Sequence, residues 1–172
     1  MLENSWHKKE KPLFGLTGLG GGVGSNLVGG GGATDIAITH ASSPYISVYP
    51  WSSGFGTKYS DPSTLPTGVC YEVDFSPDGA DIAVVHPNSP YITAYPWSSG
   101  FGTKYSDPST LPPSTAYGVA FSPDGADIAV GHNSSPYISV YPWTSGTGFG
   151  TKYANPSTLP SSHGIGAAFS PA

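Results

Sequence analysis

The stretch WSSGFGTKYSDPSTLP occupies Trp51 to Pro66 and recurs without a change from Trp97 to Pro112. A third copy, Trp143 to Pro160, carries a two-residue insertion and has Asn155 where the first two copies have an aspartate. The tryptophans that open the three copies lie 46 residues apart. Because the chain has 172 residues, this repeat accounts for most of it and decides the fold.

The residues around the quoted stretch keep the same spacing and predict four short strands in each repeat. Apolar and polar residues alternate within short runs, and Pro, Asp and Gly separate the runs as they do in β-turns. In the third repeat the predicted strands are Tyr117 to Ser122, Asp127 to His132, Tyr137 to Trp143 and Phe149 to Tyr153. A period in the forties with strand-like content is typical of propeller blades. We therefore predict an all-β fold, a β-propeller of four-stranded blades with three blades' worth per chain.

Composition excludes several classes of protein. Aromatic residues make up 13% of the chain, which argues against simple disorder. The net charge of -5 gives no electrostatic reason to bind nucleic acid, and no apolar run is long enough to insert in a membrane. Cys70 is the one cysteine, so no intrachain disulfide can form and stability must come from packing and assembly.

The sequence predicts two regions, a Gly-rich N-terminal segment at residues 1–32 and the repeats at residues 33–172. Ten of the eighteen residues from Gly15 to Gly32 are glycine. One interpretation is a flexible tether. The other is an anchor peptide that becomes ordered against another protein, with its contacts at Trp6, Leu13, Phe14, Leu16 and Leu19. The first residues lack the apolar core of a signal peptide, so we expect no Sec export.

Counting strands predicts an oligomer. The repeat region opens with the second strand of a blade, Asp35 to His40, and closes with a first strand, Gly166 to Pro171, that has no partner. Propellers have about four to eight blades, so three are too few to close a ring. We expect the last strand to complete the first blade of another copy, in a homodimer of six blades or a homotrimer of nine. A part of a longer repeat array is the alternative.

Repeated polar residues suggest little chemistry. A histidine ends each second strand, at His40, His86 and His132, but successive blades would hold them too far apart for one metal ion. A hydrogen bond within each blade explains them better. Active sites tend to break symmetry, and we note only Cys70, Glu72 and His163 as unique polar residues. We therefore predict no catalytic residue, no metal, no cofactor and no enzymatic activity.

Aromatic residues are the better functional lead. A Tyr/Trp cluster recurs in each blade, with members at Tyr49, Trp51, Tyr95, Trp97, Tyr141 and Trp143. These side chains either pack between blades or, where exposed, stack on sugar rings and anchor partners.

Two motifs carry a resemblance to a known family. Val73 to Gly79 reads VDFSPDG, Val119 to Gly125 reads VAFSPDG, and each is followed closely by DIAV. This pattern resembles WD40-like β-propeller repeats, and the resemblance covers Ala33 to Ala172. The family's Trp-Asp dipeptide is replaced by Tyr-Pro-Trp and its Gly-His dipeptide is missing, so its usual hydrogen-bond network is not carried over.

The near-identical repeats behind a Gly-rich head also resemble propeller-containing virion proteins of tailed bacteriophages. This resemblance implies a non-enzymatic structural or adhesive virion protein, a decoration or fibre protein made in the host cytoplasm. Its N-terminus would bind other virion proteins, and its propeller would project either as decoration or as a contact with the host surface, where a glycan is one partner. The alternatives are a lectin-like carbohydrate-binding propeller and a cellular WD40-type interaction scaffold.

Overall fold

The computed structural model describes residues 35–171, all within one compact unit, Gly32–Ala172. The predicted anchor at residues 1–32, with Trp6, Leu13, Phe14, Leu16 and Leu19, lies outside the described residues. The described part of the chain contains nine strands and no helix. The strands are β1 (Asp35–Thr39), β2 (Ile46–Pro50), β3 (Glu72–Phe75), β4 (Asp81–Val85), β5 (Ile92–Pro96), β6 (Ala116–Phe121), β7 (Asp127–His132), β8 (Ile138–Thr144) and β9 (Gly148–Phe149).

The strands form three antiparallel sheets. The first sheet is β1-β2, the second is β3-β4-β5 and the third is β6-β7-β8-β9, each in sequence order. Register is conserved, since Ile36 lies opposite Tyr49, Ile82 opposite Tyr95 and Ile128 opposite Tyr141. The all-β prediction is therefore confirmed.

The predicted SPDG turns form as the sequence indicates. The Ser76 hydroxyl donates to the Asp78 carboxylate at 2.6 Å, and the Asp81 N–H donates back to that hydroxyl at 2.9 Å. Gly79 has a φ of 72°, a left-handed conformation that glycine adopts without strain. These bonds satisfy the polar groups between β3 and β4, and the same bonds recur between β6 and β7.

The fourth strand is shorter than the sequence predicts. In the third sheet it is β9, and in the first two repeats it is a single bridge, Trp51 to Phe55 and Trp97 to Phe101. Beyond the bridge the chain keeps single backbone hydrogen bonds to the third strand, from the Gly102 N–H to the Pro96 carbonyl and from the Tyr105 N–H to the Ala94 carbonyl, but it forms no ladder. The Tyr105 hydroxyl donates to Asp81 of the same sheet.

The predicted last strand, Gly166 to Pro171, forms no ladder within the described residues. The segment nevertheless lies beside the third sheet, where the Gly164 N–H donates to the His132 carbonyl at 3.0 Å. The Ala116 N–H makes the equivalent bond to His86 at 3.3 Å. Residues 164–171 therefore follow the course of the first strand of a further sheet.

Neighbouring sheets pack face to face through two apolar cores. One core lies between the first and second sheets around Ile46, Ile82 and Trp97, and the other lies between the second and third sheets around Ile92, Ile128 and Trp143. The first strands of the second and third sheets, β3 and β6, lie side by side. We call the side formed by β3, β6 and residues 163–171 the inner edge.

Candidate functional site

The repeated aspartates, tyrosines and tryptophans form one contact that recurs, which we call the Asp–Tyr–Trp joint. In the first joint Asp35 accepts a hydrogen bond from the Tyr59 hydroxyl at 2.8 Å and from Trp97 Nε1 at 3.0 Å. In the second, Asp81 accepts from Tyr105 at 2.6 Å and from Trp143 Nε1 at 2.9 Å. Each tryptophan reaches back to the aspartate of the preceding sheet, so the joint fastens neighbouring sheets together.

The charged hydrogen bonds of the joints stabilise the fold and are not arranged for catalysis. Hydrogen bonds to a carboxylate are stronger than those between neutral groups, and Asp81 is fully buried. Burial raises the pKa of Tyr105, and its bond to Asp81 adds to the rise. The bond to Asp35 raises the pKa of Tyr59. A tyrosine held neutral as a donor stabilises the fold and supplies no base.

The aromatic residues singled out in the sequence divide into two groups. Tyr95, Trp97, Tyr141 and Trp143 are at most 6% exposed, and they pack between sheets. Tyr49 is half-buried, and Trp51 is 38% exposed. Packing between sheets therefore accounts for four of the six, and a ligand reaches only those of the first sheet.

The repeated histidines are bonded within their own sheets. His86 Nε2 lies 2.9 Å from the Thr93 hydroxyl, and His132 Nε2 lies 3.1 Å from the Ser139 hydroxyl. Burial lowers the pKa of both imidazoles. Among residues 35–171 no three His, Cys, Asp or Glu side chains are grouped as metal ligands would be.

The inner edge carries side chains that the repeats do not share. Glu72 Oε2 accepts a hydrogen bond from the Val119 N–H at 2.7 Å, and Asp74 Oδ2 accepts one from the Phe121 N–H at 2.8 Å. Burial raises the pKa of both carboxyl groups above their ordinary values. The third repeat has Gly118 and Ala120 in their places, so this pair of carboxylates occurs once.

Aromatic rings also lie at the inner edge. The rings of Tyr71 and Tyr117 are 5.3 Å apart, and the His163 imidazole lies 6.5 Å from Tyr117. The Ser162 hydroxyl and His163 Nδ1 are 3.1 Å apart. Tyr71 and His163 are exposed and Tyr117 is half-buried. We define the inner-edge cluster as Tyr71, Glu72, Asp74, Tyr117 and His163.

The cations of the described chain are held in other loops. Lys58 pairs with Asp61, Lys104 pairs with Asp107, and Lys152 bonds to Asn155. Within residues 35–171 the inner-edge cluster therefore has carboxylates and an imidazole but no lysine or arginine.

No helix of the described part is long and apolar enough to cross a membrane.

Comparison with known proteins places the fold. No protein-family model and no curated protein matches the chain. Its structure is similar to a proposed 6-phosphogluconolactonase from Bacteroides fragilis, with a TM-score of 0.54, 13% identity, and coverage of 76% of this chain and 40% of that one. A second proposed 6-phosphogluconolactonase, from Bacteroides uniformis, has a TM-score of 0.47, 14% identity and coverage of 62% and 33%.

The first likeness confirms the β-propeller fold. The chain spans well under half the length of that relative, and at this identity the likeness establishes the fold alone. The number of blades, the oligomer, the virion location and the resemblance to WD40 and phage proteins stay predictions.

Two predictions are wrong. The function predicted from the sequence was a non-enzymatic structural or adhesive virion protein, and enzymatic activity was excluded. The similar structure with the TM-score of 0.54 is instead named for an enzyme, a 6-phosphogluconolactonase. The exclusion of enzymatic activity was wrong because it was based mainly on the repeated residues. Those residues form the joints and the hydrogen bonds within the sheets. The unrepeated residues Glu72, Asp74 and His163 lie on the inner edge.

Sequence reasoning identified part of that cluster. Glu72 and His163 were recognised as unique polar residues, but Asp74 was missed. A position-by-position comparison of the repeats would have found it, since Ala120 and Ala168 stand at the equivalent positions.

Proposed function

We propose that this chain forms part of a β-propeller hydrolase that opens the lactone of an uncharged sugar acid at the inner-edge cluster. The observation that carries the proposal is the presence of the unrepeated polar side chains Glu72, Asp74 and His163 on the same edge as the rings of Tyr71 and Tyr117. An active site breaks the symmetry of a repeat array in this way. The fold relationship to structures named for a lactonase supports the same class of reaction.

The carboxylates suit the base that lactone hydrolysis requires. Water adds to the lactone carbonyl carbon while a base takes its proton. The bond from that carbon to the ring oxygen then breaks, and the ring oxygen gains a proton to give the open-chain hydroxy acid. Glu72 is our candidate base, because burial raises its pKa towards the working range of a general base while one oxygen stays fixed on Val119. Exposed His163 is the candidate proton donor.

The aromatic rings suit a sugar. Tyrosine presents an apolar ring face with a polar hydroxyl at its end, and sugar rings have the same mixed character. Tyr71 and Tyr117 lie side by side at a tilt of 37°, so a ring-shaped ligand can contact both. They would position the substrate next to Glu72.

The charge of the cluster favours an uncharged substrate. A phosphate group is recognised by arginine, lysine or a helix N-terminus, and the described cations are engaged in other loops. The carboxylates of the cluster would repel it. We therefore place the substrate among neutral aldonolactones.

The test is a pH-stat assay of acid release from glucono-1,5-lactone by the purified chain, measured above the spontaneous rate. We expect Glu72→Gln to lower kcat by about 10²–10⁴-fold, the range of a general base, while the glutamine oxygen can still accept from Val119. Tyr117→Ala is expected to raise KM more than it lowers kcat.

Asp74→Asn is the matched control, because Asp74 makes the equivalent bond to Phe121 but is not our candidate base. We expect it to lower kcat less than Glu72→Gln does. A rate no faster than the spontaneous reaction would overturn the proposal. A faster rate on 6-phosphogluconolactone than on the neutral lactone would overturn the substrate assignment.

A further inference from the structure

The Asp–Tyr–Trp joint has two halves, contributed by successive sheets. The earlier sheet supplies the aspartate, its partner tyrosine and a loop carbonyl. The later sheet supplies the tryptophan and a second tyrosine, whose hydroxyl donates to that carbonyl: Tyr95 to Thr64 at 2.7 Å and Tyr141 to Thr110 at 2.8 Å. The same halves meet twice within the described chain.

The first sheet presents the later half without its complement among residues 35–171. Trp51 is 38% exposed, whereas its equivalents Trp97 and Trp143 are 6% and 4% exposed. Beside it lies a depression of about 360 Å³ lined by Ile36, Ile38, Tyr49 and Phe55. This surface is the one that the second and third sheets bury in their joints.

The third sheet presents the earlier half. Asp127 accepts the Tyr153 hydroxyl at 2.9 Å, as Asp35 and Asp81 accept theirs, but no tryptophan of the described chain reaches it. Next to it is a depression of about 350 Å³ whose lining includes Ile138, Val140 and Tyr153. The equivalents of Ile138 in the other sheets, Ile46 and Ile92, are fully buried.

The inner strands complement each other in the same way. Among residues 35–171 the first sheet begins at β1, and none of these residues forms a strand on its β1 edge at the position of β3 or β6. Residues 164–171 start such a strand beside the third sheet. Since Phe121 lies opposite Ile128, the same register would set Phe169 opposite an Ile36 and cover that exposed side chain.

We propose that these two faces bind each other between copies of this chain, head to tail. Trp51 of one copy donates to Asp127 of the next, the Tyr49 hydroxyl donates to the Thr158 carbonyl, and residues 164–171 pair with β1. The occupant is a second copy because the two faces carry the two halves of the joint. Their residue types and their positions in loops and strands are those of the two joints already formed within the described chain.

Head-to-tail contacts give closed rings or open filaments. Two copies joined in this way bring six sheets together, within the range of about four to eight blades found in closed propellers. We therefore expect a closed pair with twice the 17.7 kDa mass of the chain.

The experiment is native mass spectrometry of the full chain over a range of concentrations. The wild type is expected as a pair, and Trp51→Ala and Asp127→Ala are each expected to raise the dissociation constant by at least about 100-fold. Leu65→Ala is the matched control, because Leu65 is exposed to nearly the same extent, 37%, but lies outside both faces. Circular dichroism checks that every variant is folded.

Mixing the two variants tests the direction of the contact. In a mixed pair one joint has both wild-type partners, Trp51 from the Asp127→Ala copy and Asp127 from the Trp51→Ala copy. We expect mixed pairs at concentrations where each variant alone is a monomer. A monomeric wild type, an undiminished affinity in the two variants, or the absence of mixed pairs would overturn the proposal.

Discussion

Trp143 Nε1 lies 2.9 Å from Asp81 Oδ2, although 62 residues separate them along the chain, and both side chains are buried. The Tyr105 hydroxyl occupies the other oxygen of the same carboxylate at 2.6 Å. A buried carboxylate that loses a donor retains its desolvation cost, so this relationship controls how strongly the second and third sheets are fastened.

Replacing that donor should be costly. We expect Trp143→Phe to lower the free energy of unfolding by at least about 1–3 kcal/mol, because Asp81 would lack one of its two donors and the smaller ring would leave a void. Trp51→Phe is the control, with an expected change of about 0.5 kcal/mol or less in the dissociated chain. Urea unfolding at low protein concentration measures both, and equal losses would contradict the role of the joint.

Acid should weaken the fold through two buried histidines. Burial lowers the folded-state pKa of His86 and His132, so the unfolded chain binds more protons below the ordinary pKa of about 6.5. Their contribution is fully present above that pH and is lost as the pH falls below it, by at most about 1.4 kcal/mol per pH unit for each histidine. The raised pKa values of Glu72 and Asp74 act in the opposite direction at lower pH.

The measurement is the free energy of unfolding between pH 7.5 and pH 5.5. His86→Gln should be less stable than the wild type at pH 7.5 but should lose less on acidification. An unchanged dependence on pH in this variant would contradict this, because it would show that His86 binds protons equally in the folded and unfolded states.

The close approach of two glycines holds the C-terminal segment. A methyl group at Gly118 would lie 2.5 Å from the Gly166 Cα, closer than any packed carbon approaches another. Gly118→Ala should therefore displace residues 164–171 and speed their amide hydrogen exchange while the strands β7 and β8 remain protected. Gly54→Ala, with open space around the added methyl group, is the control and should exchange like the wild type.

The thiol of Cys70 should be inert in the folded protein. It is 4% exposed, and burial raises its pKa to about 12, so almost no thiolate is present at neutral pH. We expect iodoacetamide to label it at the rate of unfolding, and mass spectrometry will follow the modification. Fast labelling without denaturant would contradict the buried position.

Local patterns predicted much of the fold. The alternation in Asp127 to His132 predicted β7 to the residue, and the Pro-Asp-Gly sequence predicted the turn before it. The fourth strand was predicted too long, since after Phe149 only single backbone hydrogen bonds, such as that from the Tyr153 N–H to the Val140 carbonyl, join the chain to β8. Periodicity reports which face a strand buries, and it carries no information about where a ladder of backbone hydrogen bonds ends.

The candidate site was less accessible to sequence reasoning for a related reason. Glu72 and Asp74 are held in place by the backbone N–H groups of Val119 and Phe121. These N–H groups belong to a neighbouring sheet and lie within 3 Å of the carboxylate oxygens. Neither carboxylate is part of a catalytic motif, so their contact with β6 follows only from the packing of β3 beside β6.

The direction of the joints has a consequence during synthesis. Each aspartate leaves the ribosome first, and the tryptophan that completes its hydrogen bonds follows 62 residues later. The joint between two sheets therefore stays incomplete until the tryptophan at the end of the later sheet has been translated. Folding can follow translation from the N-terminus with a lag of more than one repeat, and the newest sheet always waits with one open carboxylate.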